Sequence, residues 1–178
     1  MLSPDKDCSR CGLCSGRTNL VLPCGDLHSK VVLVGEAPGE NEDLQGVPFV
    51  GRAGKILNDA LAAAGIDRSS IMITNTVKCR PPDNRDPTQE EMAACRIFLD
   101  SELEDRELVV GLGRSAIRDL IGYEGGMKEV INKFTDMEVN GKKIRFLPAY
   151  HPMACVYRKE ARASLAETMQ VIKEFMKG

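Results

Sequence analysis

Three short runs of consecutive apolar residues constrain the fold of this 178-residue chain more than any other feature. They occupy residues 30–34, 71–74 and 108–112 and are rich in β-branched side chains. A strand that is apolar on both faces is typical of a parallel sheet covered by helices. Because helical patterns alternate with these strands, we predict an α/β fold: a three-layer α/β/α domain around a central, mostly parallel sheet.

Local signals place the other elements. A proline- and glycine-rich loop is expected after the first strand, and a helix with apolar positions 56, 57, 60, 61 and 64 is expected to end at Gly65. The sequence Thr88-Gln89-Glu90-Glu91 is a capping box that predicts a helix start. Asn140-Gly141 predicts a hairpin turn, and the last helix is expected over about residues 161–176.

We expect a single domain over residues 1–178, with residues 1–29 forming an irregular arm that needs a cross-link to the rest of the domain. Apolar residues make up 43% and charged residues 28% of the chain, as in ordinary globular proteins. The first residues lack the apolar stretch of a secretory signal, and no run is long enough to span a membrane. These features predict a cytoplasmic protein without membrane attachment.

The net charge of −2 does not favour nucleic-acid binding, which requires cations near phosphates. A local basic patch can still form on an acidic protein. Two interpretations of the basic clusters stay open, phosphate contact and ordinary solvated surface. The clusters are Arg52 with Lys55, Lys78 with Arg80 and Arg85, and Arg158 with Lys159 and Arg162.

Seven cysteines in a chain without a secretory signal favour metal ligation over disulfides. The Cys8-x2-Cys11 spacing suits either zinc or an iron–sulfur cluster. Two ligand sets compete for this role. One is Cys8, Cys11 and Cys14 with Cys24, and the other is Cys8, Cys11, Cys79 and Cys95.

Four motifs occur in order around these cysteines. They are Gly-Glu-Ala-Pro-Gly-Glu-Asn-Glu-Asp at 35–43, Gly-Val-Pro-Phe-Val-Gly-Arg-Ala-Gly at 46–54, the Asn75 segment at 74–82, and His151-Pro152. Together with the cysteines, they resemble the family 4 uracil-DNA glycosylases. The resemblance implies excision of uracil from DNA, an abasic product, and a [4Fe-4S] cluster on Cys8, Cys11, Cys79 and Cys95. Cys14, Cys24 and Cys155 are then additional thiols.

The resemblance also implies a uracil pocket. Glu36 and Ala37 belong to its first motif, and Phe49 offers a face on which a flipped base can stack. Asn75 carries a donor and an acceptor that match uracil O4 and N3–H. His151 can donate a hydrogen bond to uracil O2 as charge builds on the leaving base.

Activation of water is expected from Glu36 or Glu42, with Asp43 as a further candidate, although Glu42 and Asp43 could instead organise the loop. The segment after His151 is expected to face DNA. Candidate wedges in the vacated base stack are Met153 and Val156. The expected DNA contacts are these two residues together with Arg52, Arg80 and Arg158.

Parts of the sequence also resemble proteins with two other functions. Gly111-x-Gly113-x-x-Ala116 resembles a dinucleotide fingerprint, but it comes late in the chain, and we interpret it as close strand–helix packing without a nicotinamide cofactor. A non-catalytic uracil-DNA binder or a cluster-bearing redox module is the alternative to the glycosylase. The predicted partner is uracil-containing DNA, and we expect a monomer associated with the nucleoid of a prokaryote.

Overall fold

A six-stranded sheet lies at the centre of the computed structural model, which describes residues 1–178. The strands are β1 (Cys24–Gly25), β2 (Val31–Gly35), β3 (Met72–Asn75), β4 (Leu108–Leu112), β5 (Thr135–Val139) and β6 (Lys142–Ala149). Their order is β1-β3-β2-β4-β6-β5. The four inner strands are parallel and both edge strands are antiparallel, which confirms the predicted mostly parallel sheet.

Seven α-helices accompany the sheet. They are α1 (Glu40–Gln45), α2 (Arg52–Ala63), α3 (Gln89–Leu103), α4 (Arg114–Ile121), α5 (Met127–Val130), α6 (Ala154–Tyr157) and α7 (Lys159–Lys177). Three short 3-10 turns cover Gly12–Ser15, Arg68–Ser70 and Pro82–Asn84. No helix combines the length and the apolar character that crossing a membrane requires.

The connections explain the three layers. From β2 the chain crosses through α2 to β3 on one side, and then through α3 past β2 to β4 on the other side. Because such crossovers are right-handed, α2 and α3 cover opposite faces of the sheet. Helix α7 packs against α2, and Arg96 of α3 donates to the Asp119 carbonyl of α4. Strand β2 is buried along its whole length between the two layers.

The local sequence signals predicted most elements correctly. The Thr88 hydroxyl accepts from the Glu91 amide at 3.1 Å, and the Thr88 amide donates to the Glu91 carboxylate at 2.8 Å. Asn140 and Gly141 both have positive φ, 49° and 81°, as a two-residue hairpin turn of type I′ requires. Gly111 also packs closely, since a Cβ there would lie 2.5 Å from the Phe146 ring.

Two elements of the N-terminal part were not predicted. The expected proline- and glycine-rich loop follows β2 at residues 36–39, but it leads into α1, whose short polar sequence carries no apolar periodicity. The arm also supplies the edge strand β1, which pairs Cys24 with Ile73 and Gly25 with Met72. Two residues are too few to show the alternation that signals a strand.

A buried ion pair joins the end of β3 to α3. The side chains of Lys78 and Glu102 are 1% and 2% exposed, and their charged groups lie 2.7 Å apart. The Lys78 ammonium also donates to the Thr74 hydroxyl and the Asn75 carbonyl, each at 2.7 Å. The prediction that Lys78 belongs to a surface patch is therefore wrong, because its charge is neutralised inside the protein.

Removing Lys78 should destabilise the fold strongly. Lys78→Ala leaves Glu102 as a buried, unpaired charge, and losing one partner of such a pair costs about 3–5 kcal/mol. The matched control is Lys30→Ala, which breaks an exposed pair with Glu107 and should cost less than about 1 kcal/mol. Urea unfolding of both variants measures the difference, and equal midpoints would contradict this assignment.

Candidate functional site

The predicted site residues meet at the carboxyl ends of the parallel strands. Gly35 ends β2, Asn75 ends β3, and His151 follows β6 after one intervening residue. The chain leaves β2 towards β3 and leaves β4 in the opposite direction towards β6, so a crevice opens between the carboxyl ends of β2 and β4. Ligands of open α/β sheets bind at such a position.

A cavity of about 440 Å³ occupies this crevice. This volume is in the range of small-molecule binding sites and is sufficient for a nucleobase with part of its sugar. Its wall includes seven of the residues singled out from the sequence, Ala37, Glu42, Phe49, Arg52, Asn75, His151 and Met153. The motifs are therefore brought together in space, although they are distant in sequence.

Two glycines leave room for Phe49 at the cavity wall, Gly35 for its ring and Gly54 for its backbone. A Cβ on Gly35 would lie 2.5 Å from the ring and 2.6 Å from the Asn75 amide oxygen. A Cβ on Gly54 would lie 2.0 Å from the Phe49 carbonyl oxygen. The ring centre is 6.1 Å from that of His151. The cavity therefore offers an aromatic face beside an amide and an imidazole.

The hydrogen bonding of His151 fixes its tautomer. Nδ1 accepts from the Met153 backbone amide at 3.1 Å, so this nitrogen carries no proton. Burial lowers the pKa of His151, which keeps the ring neutral around neutral pH. The single ring proton then sits on Nε2. The close approach of Gly113, where a Cβ would lie 2.9 Å from the His151 Cβ, allows this placement.

The Glu42 carboxylate is engaged by the backbone of two loops. One oxygen accepts from the Gly39 amide at 3.0 Å, and the other accepts from Val50 at 2.9 Å and Gly51 at 2.7 Å. Asp43 similarly accepts from the amides of Thr18 and Asn19 in the arm. These are the contacts expected if Glu42 and Asp43 organise the loop, which was the alternative to activation of water.

The Glu36 side chain faces a neighbouring cavity. That cavity is also lined by Asp86, Ser115, Arg118 and the other side of His151. Burial, followed by the nearby Asp86 carboxylate, raises the pKa of Glu36 to about 7. The carboxyl group therefore lies behind His151 and does not line the cavity that holds Phe49 and Asn75.

Five cysteines line a separate cavity between the arm, the loop after β3 and α3. They are Cys8, Cys11, Cys14, Cys79 and Cys95. Arg17 donates to the Cys79 sulfur at 3.4 Å and to the Cys8 carbonyl at 2.7 Å. Burial raises the pKa of Cys79 and brings that of Cys95 to about 11. No three metal-binding side chains converge closely enough to hold a single ion.

Cys24 and Cys155 lie outside this cavity. Cys155 is buried in α6, and Cys24 lies in β1 with its sulfur 3.8 Å from the Arg68 guanidinium. Cys14 differs because it lines the cavity together with Cys8, Cys11, Cys79 and Cys95.

Only two of the five residues expected to contact DNA line the cavity. Arg52 and Met153 line the cavity itself, whereas Val156 lines a groove between α2 and α7 that also includes Arg52. The Arg158 guanidinium lies 5.0 Å from the Tyr150 ring centre. Arg80 donates to Asn84, whose side chain is at the cavity wall.

Sequence reasoning missed two residues near these positions. Tyr157, between Val156 and Arg158, is 76% exposed and is not among the wedge residues predicted from the sequence. Arg68 binds the backbone of the Phe49 turn from outside the cavity. It lies 19 residues from Phe49 and in none of the four motifs, so no local pattern identifies it.

Comparison with known proteins agrees with the resemblance in the sequence. Residues 22–175 match the family model described as the uracil DNA glycosylase superfamily. A type-4 uracil-DNA glycosylase of Archaeoglobus fulgidus is 42% identical over 94% of this chain and 87% of its own length. One of Thermotoga maritima is 40% identical over 97% and 91%.

A type-5 uracil-DNA glycosylase of Pyrobaculum aerophilum is more distant, with 32% identity over 74% of this chain and 65% of its own length. The type-4 relatives are thus more similar and are matched over more of their length. The chain therefore belongs to the uracil-DNA glycosylase superfamily and, within it, to the type-4 uracil-DNA glycosylases.

Proposed function

We propose that this chain hydrolyses the N-glycosidic bond of uracil in DNA, releasing the free base and leaving an abasic site. Family membership supports the reaction. The observation that carries the proposal is the convergence of Phe49, Asn75 and His151 on one cavity at the carboxyl ends of the strands. No nicotinamide cofactor takes part in the proposed reaction.

In this proposal each of the three residues has a separate role. A uracil flipped out of the DNA stacks on Phe49. The NH₂ group of the Asn75 amide donates to uracil O4, and the amide oxygen accepts from uracil N3–H. The neutral His151 ring donates from Nε2 to O2, as its bond from the Met153 amide leaves the proton there. This bond strengthens as negative charge moves onto the departing base, so it lowers the barrier.

The acidic residues are assigned indirect roles. Glu42 lines the cavity, and its carboxylate accepts three hydrogen bonds from backbone amides. We therefore propose that Glu42 contributes to catalysis mainly by holding the loops in place. For Glu36 we propose an effect through the polar cavity behind His151, where its carboxyl group sets the local charge, and no direct bond to uracil. Ala37, which lines the cavity, provides contact area for the base. Leaving-group stabilisation is then the main catalytic effect.

The proposed DNA-binding face surrounds the cavity mouth. Arg52, Arg80 and Arg158 would contact phosphates, and Met153 and Val156 would fill the space left by the flipped base. We propose one domain that acts as a monomer and works where genomic DNA is, the cytoplasm and nucleoid of a prokaryote.

The cysteine cavity fits an iron–sulfur cluster. We propose a [4Fe-4S] cluster on Cys8, Cys11, Cys79 and Cys95, all of which line it. The Arg17 donor at the Cys79 sulfur suits a thiolate, since a cation stabilises its charge. Zinc is the rival metal, and the similarity to the type-4 uracil-DNA glycosylases favours iron. When bound, the cluster would supply structural cross-linking of the arm, the loop after β3 and α3.

Cys79→Ala should abolish the brown colour of the purified protein and lower its soluble yield. Four-thiolate ligation predicts about four irons per chain in the wild type. The matched control is Cys155→Ala, since Cys155 is also buried but lies outside the cavity, and it should keep its iron. Iron analysis and visible absorbance measure both, and Cys14→Ala should also keep the cluster. Colourless wild-type protein containing one zinc per chain would contradict the cluster.

The proposed function is tested with a duplex oligonucleotide that carries one uracil and a labelled end. Wild-type protein in EDTA, without nicotinamide, should produce abasic sites that alkali converts into one shorter strand. The same duplex with thymine should stay intact. Tight binding to uracil DNA without cleavage after alkali would instead support the non-catalytic binder.

A further inference from the structure

We infer that Arg68 is a positioning residue for uracil excision: its guanidinium holds the backbone of Phe49 in the conformation that places the ring in the pocket. The inference rests on the proposed function. Arg68 lies in the 3-10 turn between α2 and β3 and does not line the cavity, so its effect must be transmitted through Phe49.

The first observation is the unusual backbone of Phe49. Its φ is 54°, in the left-handed region, which side-chain-bearing residues rarely occupy. The residue is not an asparagine or glycine, for which this conformation is easier. Phe49 is also 6% exposed, so the strained residue is part of the core and not a loose loop tip. Other groups must therefore stabilise this conformation.

The second observation is that Arg68 binds the two carbonyls on either side of the strained residue. One guanidinium nitrogen donates to the Pro48 carbonyl at 2.6 Å, and another donates to the Phe49 carbonyl at 2.8 Å. The latter nitrogen also donates to the Asn58 side chain of α2 at 2.6 Å. The planar guanidinium is thus anchored to a helix while it holds the turn.

The third observation is that a carboxylate, that of Glu42, binds the same turn from the other side. The peptide unit between Phe49 and Val50 offers its carbonyl to Arg68 and its amide to Glu42. Each charge meets the end of the peptide dipole that it attracts, which strengthens both hydrogen bonds. The Gly51 amide adds a second bond to Glu42. Together the two side chains fix the orientation of this peptide unit.

The orientation of this peptide unit matters because the Phe49 ring can stack on the base only from its present position. Its edge contacts the space that Gly35 leaves open beside the Asn75 amide, and its centre is 6.1 Å from the His151 ring. If φ of Phe49 relaxed to the usual negative region, the side chain would leave this position. The stacking face would then be lost while Asn75 and His151 stayed in place.

Single-turnover uracil release tests the inference with Arg68→Met. The rate should fall roughly 5- to 30-fold, matching the cost of keeping one side-chain-bearing residue in the left-handed region. The matched control is Arg106→Met. Arg106 is also half-buried and also donates to carbonyls, those of Leu27, Ser29 and Glu102, but it is remote from the Phe49 turn. The control should keep a rate within about twofold of wild type even if its stability falls.

A double-mutant cycle separates positioning from general damage. In a Phe49→Leu background, where the stacking ring is already absent, adding Arg68→Met should change the rate by less than about threefold. Independent, multiplicative losses would show that Arg68 does not act through Phe49 and would overturn the inference. Arg68→Lys keeps one cationic donor group, so its rate of uracil release should lie between those of wild type and Arg68→Met. This variant provides the test if Arg68→Met does not fold.

Amide hydrogen exchange gives a readout that does not depend on activity. The Val50 and Gly51 amides should exchange at least roughly tenfold faster in Arg68→Met than in wild type, and Arg106→Met should not change them. Unchanged exchange would overturn the inference. If wild-type protein released no uracil, the proposed function and the catalytic consequence would both fail, and the exchange would still decide whether Arg68 holds the turn.

Discussion

His151→Ala should slow uracil release by roughly 10²–10³-fold while leaving DNA affinity nearly unchanged, the usual cost of removing one donor to developing charge. The loss falls on the chemical step, because the Nε2 proton interacts most strongly with the base as it departs. Single-turnover excision at saturating protein, together with binding to the same duplex, separates the two effects.

The other histidine of the chain provides the control for this variant. His28 is exposed and precedes β2, so His28→Ala should behave as wild type in both measurements. The proposed role also has a pH signature: burial lowers the pKa of His151, so the neutral donor form persists below the usual histidine pKa of 6.5. Equal rates for His151→Ala and wild type would remove His151 from the mechanism.

Asn75→Asp should lower excision by at least ~1–3 kcal/mol, or roughly 5- to 150-fold, the cost of one unsatisfied polar group. The carboxylate keeps the size of the amide but replaces its donor to O4 with an acceptor, so two acceptors oppose each other. The same carboxylate can accept from cytosine N4, and trace cytosine release is the expected gain. Both products are measured by mass spectrometry with cluster content matched by absorbance.

The control for this substitution is Asn140→Asp, which makes the same chemical change at the β5–β6 hairpin. Aspartate before glycine also suits a type I′ turn, and the bond lost is the exposed one from the Asn140 amide to the Glu104 carboxylate, so the rate should be retained even if stability falls slightly. A rate for Asn75→Asp equal to that of the control would show that the Asn75 amide does not read uracil O4.

Short-range signals in the sequence explain why so much of the fold was predictable. The β2, β3 and β4 runs are apolar on both faces, and the Thr88 box and the Asn140-Gly141 turn are complete within four residues. Phe49, Asn75 and His151 were identified through motifs, and the parallel sheet brings the end of β3, which carries Asn75, close to the end of β6, which His151 follows. Each of these features depends on neighbours in the chain or on a regular sheet.

The features that the sequence did not reveal depend on distant partners. Lys78 lies among cysteine, arginine and proline and resembles a surface cation, but Glu102 of α3 buries it. Glu36 follows β2 like a pocket residue, yet Asp86, Ser115 and Arg118 draw its side chain behind His151. Arg68 holds a turn 19 residues away. Contacts between residues so far apart in the sequence leave no periodicity or spacing from which they could be predicted.

The most direct test of the account is to identify the base that wild-type protein releases from one duplex in a single turnover. The duplex carries one uracil among ordinary bases, and released bases are identified and counted by mass spectrometry. The account predicts one free uracil per duplex, no thymine, and at most a trace of uracil with His151→Ala over the same time. Release of no uracil by protein that is folded and bound to the duplex would contradict it.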